Sequence, residues 1–225
     1  MKILALITAR GGSERLPKKN ILKLGGKPLV KWSIDILKDI PEICDILLST
    51  DDKEIAKIGK NEKILVPWLR PKYLSTNKAS SLDTALHAIN WYQKKIQTFD
   101  GLMLIQPTSP FRSIKTIRRA IKLFKSKPKI PVMSVSKIKN HGLKFYKLKN
   151  GLMKTINNSK KKDNINSINF YENGLLYLKS PKDLKKSMSF KNGTFNPLII
   201  YDTKENIDID TKLDWVKAVG KIREI

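Results

Sequence analysis

The sequence predicts an α/β fold, a mostly parallel sheet with helices on both faces, together with a small inserted α+β lobe. Three observations carry this. Over the first two-thirds of the chain, short apolar runs alternate with segments of helical apolar spacing. Those runs end in polar loops bearing Gly, Pro or Ser that lead into the helices. Beyond residue 137 the alternation gives way to short runs around tight turns. With 225 residues, 40% of them hydrophobic and 29% charged, the chain has material for one substantial domain and its core.

Each element can be justified in order. Lys2 to Ala9 is a continuous apolar strand. Pro28 to Lys38 shows helical spacing through Leu29, Trp32, Ile36 and Leu37, and Pro28 suits a first turn. Asp45 to Thr50 is a second strand, and "TDDKEIAKIGK" opens a helix with acids in its first turn. A short strand is expected at Lys63 to Val66, stopped by Pro67. Leu82 to Lys95 is a helix, Asp100 to Gln106 a strand, Ile114 to Phe124 a helix and Pro131 to Val135 a strand. Phe145 to Leu148 and Met153 to Ile156 flank the turn "KNG" as two short strands. "NGLLYLKS" is a strand, "PKDLKKS" a short helix and "PLIIYDT" a further strand. "IDIDTKLDWVKAVGKIREI" is a strand end leading into an amphipathic helix. Residues 137–196 are taken as the inserted lobe within a single domain, 1–225.

The formal charge of +25 would attract polyanions without any dedicated site. Only seven of the 45 basic residues are Arg, and they are dispersed along the chain. Lys is the generic solvated charge, whereas Arg serves bidentate phosphate and base recognition. No nucleic-acid-binding signature is present, so the charge reads as surface and nucleic acid is not the expected partner. The apolar runs are too short to span a bilayer, and no secretory leader is legible. The single Cys44 fits a reducing, cytoplasmic setting and a core-filling role.

Three stretches carry chemistry. The first is "ITARGGSERLPKKN", residues 7 to 20, which follows the first strand, where open α/β sheets bind their ligands. Its Gly-Gly-Ser turn would let backbone N–H groups approach an anion, and Arg10, Arg15, Lys18 and Lys19 add positive charge. It is neither a Walker A loop nor G-x-G-x-x-G. The second is "IDIDTKLD", in which Asp208 and Asp210 share one face of an extended segment. Such a pair beside a triphosphate would hold Mg²⁺ through hard oxygen ligands. The same stretch could cap a helix through Asp210 or Thr211, with Asp214 completing a capping box. The third is "LIQPTSPFR", a rigid polar strand end suited to reading a base or sugar. His87, beside apolar helix neighbours, reads as structural, and His141 is at most a substrate contact.

Taken together and in order, "ARGGSERLPKKN", "LGGKPLVKWSI", "STDDKEIA", "LRPKYLSTNKASSLDTALHAI", "LIQPTSPFR", "NGLLY" and "IDIDTKLDW" resemble the acylneuraminate cytidylyltransferases over nearly the whole chain. The resemblance implies a Rossmann-like sheet and transfer of CMP from CTP to a nonulosonic acid, with release of pyrophosphate. It also implies Mg²⁺ and a homodimer whose inserted lobe reaches the partner's site. Residue by residue, Arg10 and Lys19 match phosphate-binding positions, and with Asp210 they are the expected catalytic groups. Ala9, Gly11, Ser13, Asn20, Arg70, Ser80 and Ser81 match the rest of the nucleotide site. Gln106, Lys144, Asn173 and Tyr177 match sugar-acid contacts, and Asp208 and Asp210 the metal pair.

Three departures stand out. Glu14 takes the place of a common lysine, so one phosphate contact is missing or shifted to Arg15. Tyr171 and Glu172 precede "NG" where many sialic acid enzymes carry an arginine, which leaves the identity of the acid open. The third is the unusually basic stretch "NNSKKKDN", which has no assigned role. A CMP-Kdo synthetase-like enzyme is the nearest alternative, but it would show a "QGDEP" type segment in place of "IQPTSP". The other alternative is a non-catalytic polyanion- or RNA-binding protein on the same fold, against which the retained Asp208 and Asp210 argue.

Overall fold

A computed structural model describes residues 1–76, 78–137, 145–156 and 170–222. The chain begins with β1 (Ile3–Thr8), the small hairpin β2 (Lys23–Leu24) and β3 (Lys27–Pro28), and helix α1 (Leu29–Lys38). Next come β4 (Ile43–Ser49), α2 (Lys53–Asn61), α3 (Ser81–Lys95), β5 (Gly101–Ile105), α4 (Ile114–Ser126) and β6 (Val132–Lys137). The remainder comprises β7 (Phe145–Lys149), β8 (Leu152–Ile156), β9 (Phe170–Lys179), α5 (Pro181–Ser187), β10 (Thr194–Ile200) and α6 (Lys212–Ile222).

Side-chain caps set where several helices start. Asp52 accepts from the backbone N–H groups of Glu54 and Ile55, so α2 begins after it. Ser80 and Asp83 form a capping box at α3, and Ser113 and Ser180 cap α4 and α5. At α6 the hydroxyl of Thr211 accepts from the Asp214 N–H, and the Asp214 carboxylate accepts from the N–H of Thr211. The capping work therefore falls to Thr211 and Asp214, and the Asp210 carboxylate is left for other partners.

Eight strands form one sheet in the order β4-β1-β5-β9-β6-β10-β8-β7. β4, β1 and β5 are parallel, as are β6 and β10; β9 lies antiparallel between β5 and β6. Strand alternation divides the core. Ile3, Ala5 and Ile7 of β1 pack with α1, α2 and α4, while Leu4 and Leu6 pack with α3 on the opposite face. A third cluster, including Leu16, Leu24, Phe111, Ile209 and Ala218, seats α6 against the opening loop.

Three expectations change. Lys63 to Val66 makes no strand; Leu65 forms an isolated bridge to Leu47, and the preceding backbone turns through a positive φ at Lys63. "IDID" joins no ladder either, although the Ile209 N–H donates to the Thr108 carbonyl at 2.7 Å. Its alternation is preserved, with Ile209 buried and the two aspartates on the other side. The expected lobe over 137–196 is also divided differently. β9 and the start of β10 belong to the main sheet, and the β7–β8 hairpin extends that sheet's far edge. The reason is pairing: β9 satisfies the facing edges of both β5 and β6, which no local pattern in the sequence reveals.

Between Glu172 and Tyr177, β9 carries a large bulge opposite Met133 to Val135. Gly174 supplies the left-handed backbone (φ +72°) that the bulge requires. The ladder bonds lost there are replaced by side chains. The Leu176 N–H donates to the Ser134 hydroxyl (2.8 Å), and the Leu175 carbonyl accepts from Arg112 Nε (2.8 Å).

Candidate active site

Two clefts open at the carboxyl ends of the parallel strands, where open α/β sheets place ligands. The first, about 280 Å³, lies between the opening loop and the start of α3. Arg10, Ser13, Lys19, Asn20, Arg70, Ser80 and Ser81 all line it. The second, about 570 Å³, is lined by Asn173 and Tyr177 of β9 and by the segment before α6. Gln106, Thr108 and Asp210 line both clefts, and Asp208 lines the second. The "QPTSP" and "IDID" stretches thus form the wall between the two compartments.

Asp210 is held by two cations. Lys19 Nζ donates to its Oδ1 and Arg15 Nη2 to its Oδ2, each at 2.8 Å. Lys19 is buried and also donates to the Ile209 carbonyl at 2.8 Å. Burial alone would raise the Asp210 carboxyl, but the Lys19 hydrogen bond and the charges of Lys19 and Arg15 prevail and hold it below the ordinary carboxylate range. Asp208 goes the other way. Its carboxylate meets solvent in the second cleft, yet desolvation by the surrounding protein and the nearby Asp210 charge keep its pKa up. The Thr108 hydroxyl, Lys19 and Arg112 only partly offset this.

Arg70 is buried and donates through Nε to Ser49 Oγ (3.0 Å) and through Nη2 to the Ser49 carbonyl. Burial pulls its guanidinium down to about 10, with Asp51 opposing and Arg10 assisting, so it stays charged at neutral pH. Asn20 donates to the Arg10 carbonyl at 2.9 Å, and its buried Oδ1 has no protein partner among the described residues. The Ser80 hydroxyl is engaged with Asp83 in the capping box.

Several expected roles shift. The Gly11 N–H does not point at a free anion site; it donates to Asp51 Oδ1 at 3.0 Å. Gly11 is needed for packing, since a Cβ there would lie 2.7 Å from Asp52 Oδ2. Gly11→Ala is therefore expected to displace the α2 cap and cost about 1–2 kcal/mol, read as a lower urea midpoint with an unchanged m-value. Ala9 is buried at the strand end, and neither it nor Gly11 lines the cleft. Asn173 spends its amide on Ser136, Asn206 and the Leu175 N–H, so it shapes the second cleft. Lys144, His141 and the stretch 157–164 lie outside the described residues. His87 packs edge-on against Trp68 at 4.7 Å, and burial lowers its pKa, consistent with a neutral structural ring.

Two features escaped sequence reasoning. Glu172, on the second cleft, holds Lys191 at 2.6 Å, which brings a lysine from the α5–β10 loop to the same wall. Arg112 is the other. It is buried and donates to the carbonyls of Gln106, Ser109 and Leu175 and to Ser33 Oγ. Burial pulls it down to about 9, against the charges of Asp208 and Glu205. It fastens the strand end carrying Gln106 to the β9 bulge. An Arg directly after "PTSPF" was the only available signal.

A mostly parallel α/β sheet with a basic cleft beside its first loop, sharing Asp210 with a second cleft, is the arrangement of a nucleotidyltransferase. A family model described as Cytidylyltransferase matches residues 4–191, and the chain belongs to that family. It is 36% identical over 218 residues to a CMP-N,N'-diacetyllegionaminic acid synthase of Legionella pneumophila, covering 96% of this chain and 94% of that protein. It is 29% identical over 221 residues to an N-acylneuraminate cytidylyltransferase of Escherichia coli, covering 97% of this chain and 51% of that protein. Among solved structures, a CMP:2-keto-3-deoxy-manno-octonic acid synthetase complexed with CTP superposes with a TM-score of 0.80 at 13% identity, over 100% of this chain and 99% of that one. At that identity the last comparison speaks for the fold.

Proposed function

We propose that this enzyme transfers CMP from CTP to the anomeric hydroxyl of a nonulosonic acid, with release of pyrophosphate. The carrying observation is the pair of clefts that share Gln106, Thr108 and Asp210, with Asp208 beside them on the second. The relatives, named for legionaminic and acylneuraminic substrates, support that acid class over an octonic one.

In this reading CTP occupies the first cleft, with its triphosphate near Arg10, Lys19 and Ser13. Arg70, Ser80 and Ser81 border the nucleoside, and Asn20 Oδ1 is an acceptor for a base amino group or ribose hydroxyl. The sugar acid occupies the second cleft against Gln106 and Tyr177. Its hydroxyl oxygen attacks the α-phosphorus in line and gives up its proton to water in the open second cleft, while the α-phosphorus–oxygen bond to pyrophosphate breaks. The chain's task is to align the reactants and neutralise the charge growing on the phosphoryl oxygens.

Asp208 and Asp210 suit Mg²⁺. They are hard oxygen donors on one side of the segment, and desolvation with the Asp210 charge raises the Asp208 pKa, an effect that a divalent cation beside them would offset. Bound there, the ion would neutralise phosphate charge and template both substrates. Homodimer formation rests on the resemblance alone, and sedimentation velocity tests it. Among the described residues no helix is long and apolar enough to cross a membrane.

The decisive assay is pyrophosphate release from CTP and Mg²⁺ with N-acetylneuraminic, legionaminic, pseudaminic and 2-keto-3-deoxy-manno-octonic acids. Turnover with a nine-carbon acid is expected. Turnover confined to the octonic acid would overturn the acid class, and silence with all four would overturn the activity.

A further inference from the structure

The two cations on Asp210 are held very differently. Lys19 has a side chain only 10% exposed and a second anchor on the Ile209 carbonyl. Arg15 has a side chain 67% exposed, and among the described residues Asp210 is its hydrogen-bond partner. Together they occupy both carboxylate oxygens. A divalent ion arriving at Asp210 would sit against both of these positive charges, and the repulsion displaces the weaker tie first. Exposed ion pairs contribute little net stability, whereas a buried ammonium with two acceptors is costly to strip. Arg15 also lines the first cleft, so once released it stands beside the space taken by the nucleotide.

We infer that Arg15 is a two-position cation: it neutralises Asp210 while the site is empty of metal and nucleotide, then moves to the triphosphate when they bind. This rests on the reading of Asp208 and Asp210 as the metal pair and of the first cleft as the CTP site. It also gives Glu14 a context. Glu14 lines the same cleft, and its neighbour Arg15 supplies the mobile charge at this point of the loop.

The exchange has a two-signed signature. Arg15→Gln removes a competitor for Asp210, so Mn²⁺ titrated calorimetrically without nucleotide should bind about three- to fivefold tighter than to wild type. The same variant loses a charge-assisted contact to phosphate, so CTP with Mg²⁺ should bind about tenfold more weakly. Lys18→Gln removes the same charge from the neighbouring exposed residue, whose acidic partner is Glu54 at 3.6 Å, and serves as the field control.

Tighter Mn²⁺ binding in Arg15→Gln but not in Lys18→Gln, together with weaker CTP binding, supports the exchange. An unchanged Mn²⁺ affinity, or equal tightening in both variants, overturns the Asp210 position; an unchanged CTP affinity overturns the triphosphate position. Neither titration needs the sugar acid. If the binding shifts appear while no acid is turned over, the proposed reaction fails and the Arg15 exchange stands.

Discussion

Asp210→Ala is expected to lower kcat about 10³-fold, or ~4 kcal/mol of transition-state stabilisation, which is the scale of losing one preorganised electrostatic group. The melting temperature should fall by several degrees, because the buried Lys19 ammonium loses its carboxylate and keeps only the Ile209 carbonyl. Arg15 is exposed and loses only a surface pair. The α6 cap is untouched because it is built by Thr211 and Asp214. Asp210→Asn retains an oxygen for Lys19 but lacks the charge, and should be nearly as inactive. Steady-state pyrophosphate release read beside a thermal melt checks both. Near-normal turnover in the asparagine variant would remove Asp210 from the chemistry.

Arg112→Ala should show the largest stability effect. It strips partners from the carbonyls of Gln106, Ser109 and Leu175 and from Ser33 Oγ, three of them buried and the Gln106 carbonyl part-buried. At about 1–3 kcal/mol per stranded group, partly relieved by relaxation and water, the loss is about 3–5 kcal/mol. For a chain of this size the melting temperature should fall on the order of 10 °C. The catalytic consequence is directional, because the bonds lie behind Gln106 and the β9 bulge. KM for the sugar acid should rise more than KM for CTP. Arg112→Lys, which keeps the charge and some donors, should fold well enough to read that ratio. Equal changes in both KM values would reduce Arg112 to a general stabilising role.

Much of the molecule could be read locally. The continuous apolar run of Ile3–Thr8 and the helical spacing in Leu29–Lys38 are local patterns that need no distant partner to be read. The same holds for Asp208 and Asp210: the alternation puts Ile209 in the core and both carboxylates on the other side, even without a ladder. Elements failed where a partner decided the outcome. Lys63 to Val66 has a strand's composition but reaches a neighbour only through Leu65.

What the sequence by itself determined is the layered α/β class, the placing of polar loops at strand ends, and the family whose motifs run through the chain in order. These depend on side-chain period and turn chemistry, which act over a few residues. Only the tertiary structure decided that β9 inserts antiparallel between β5 and β6, since a strand's partners are chosen by whole-sheet pairing. It likewise decided that the Gly11 N–H goes to Asp51 and that Arg15 and Lys19 close on Asp210, contacts spanning 40, 195 and 191 residues. Charges attract through space, and no spacing along the chain records which of 45 basic residues will meet a given carboxylate.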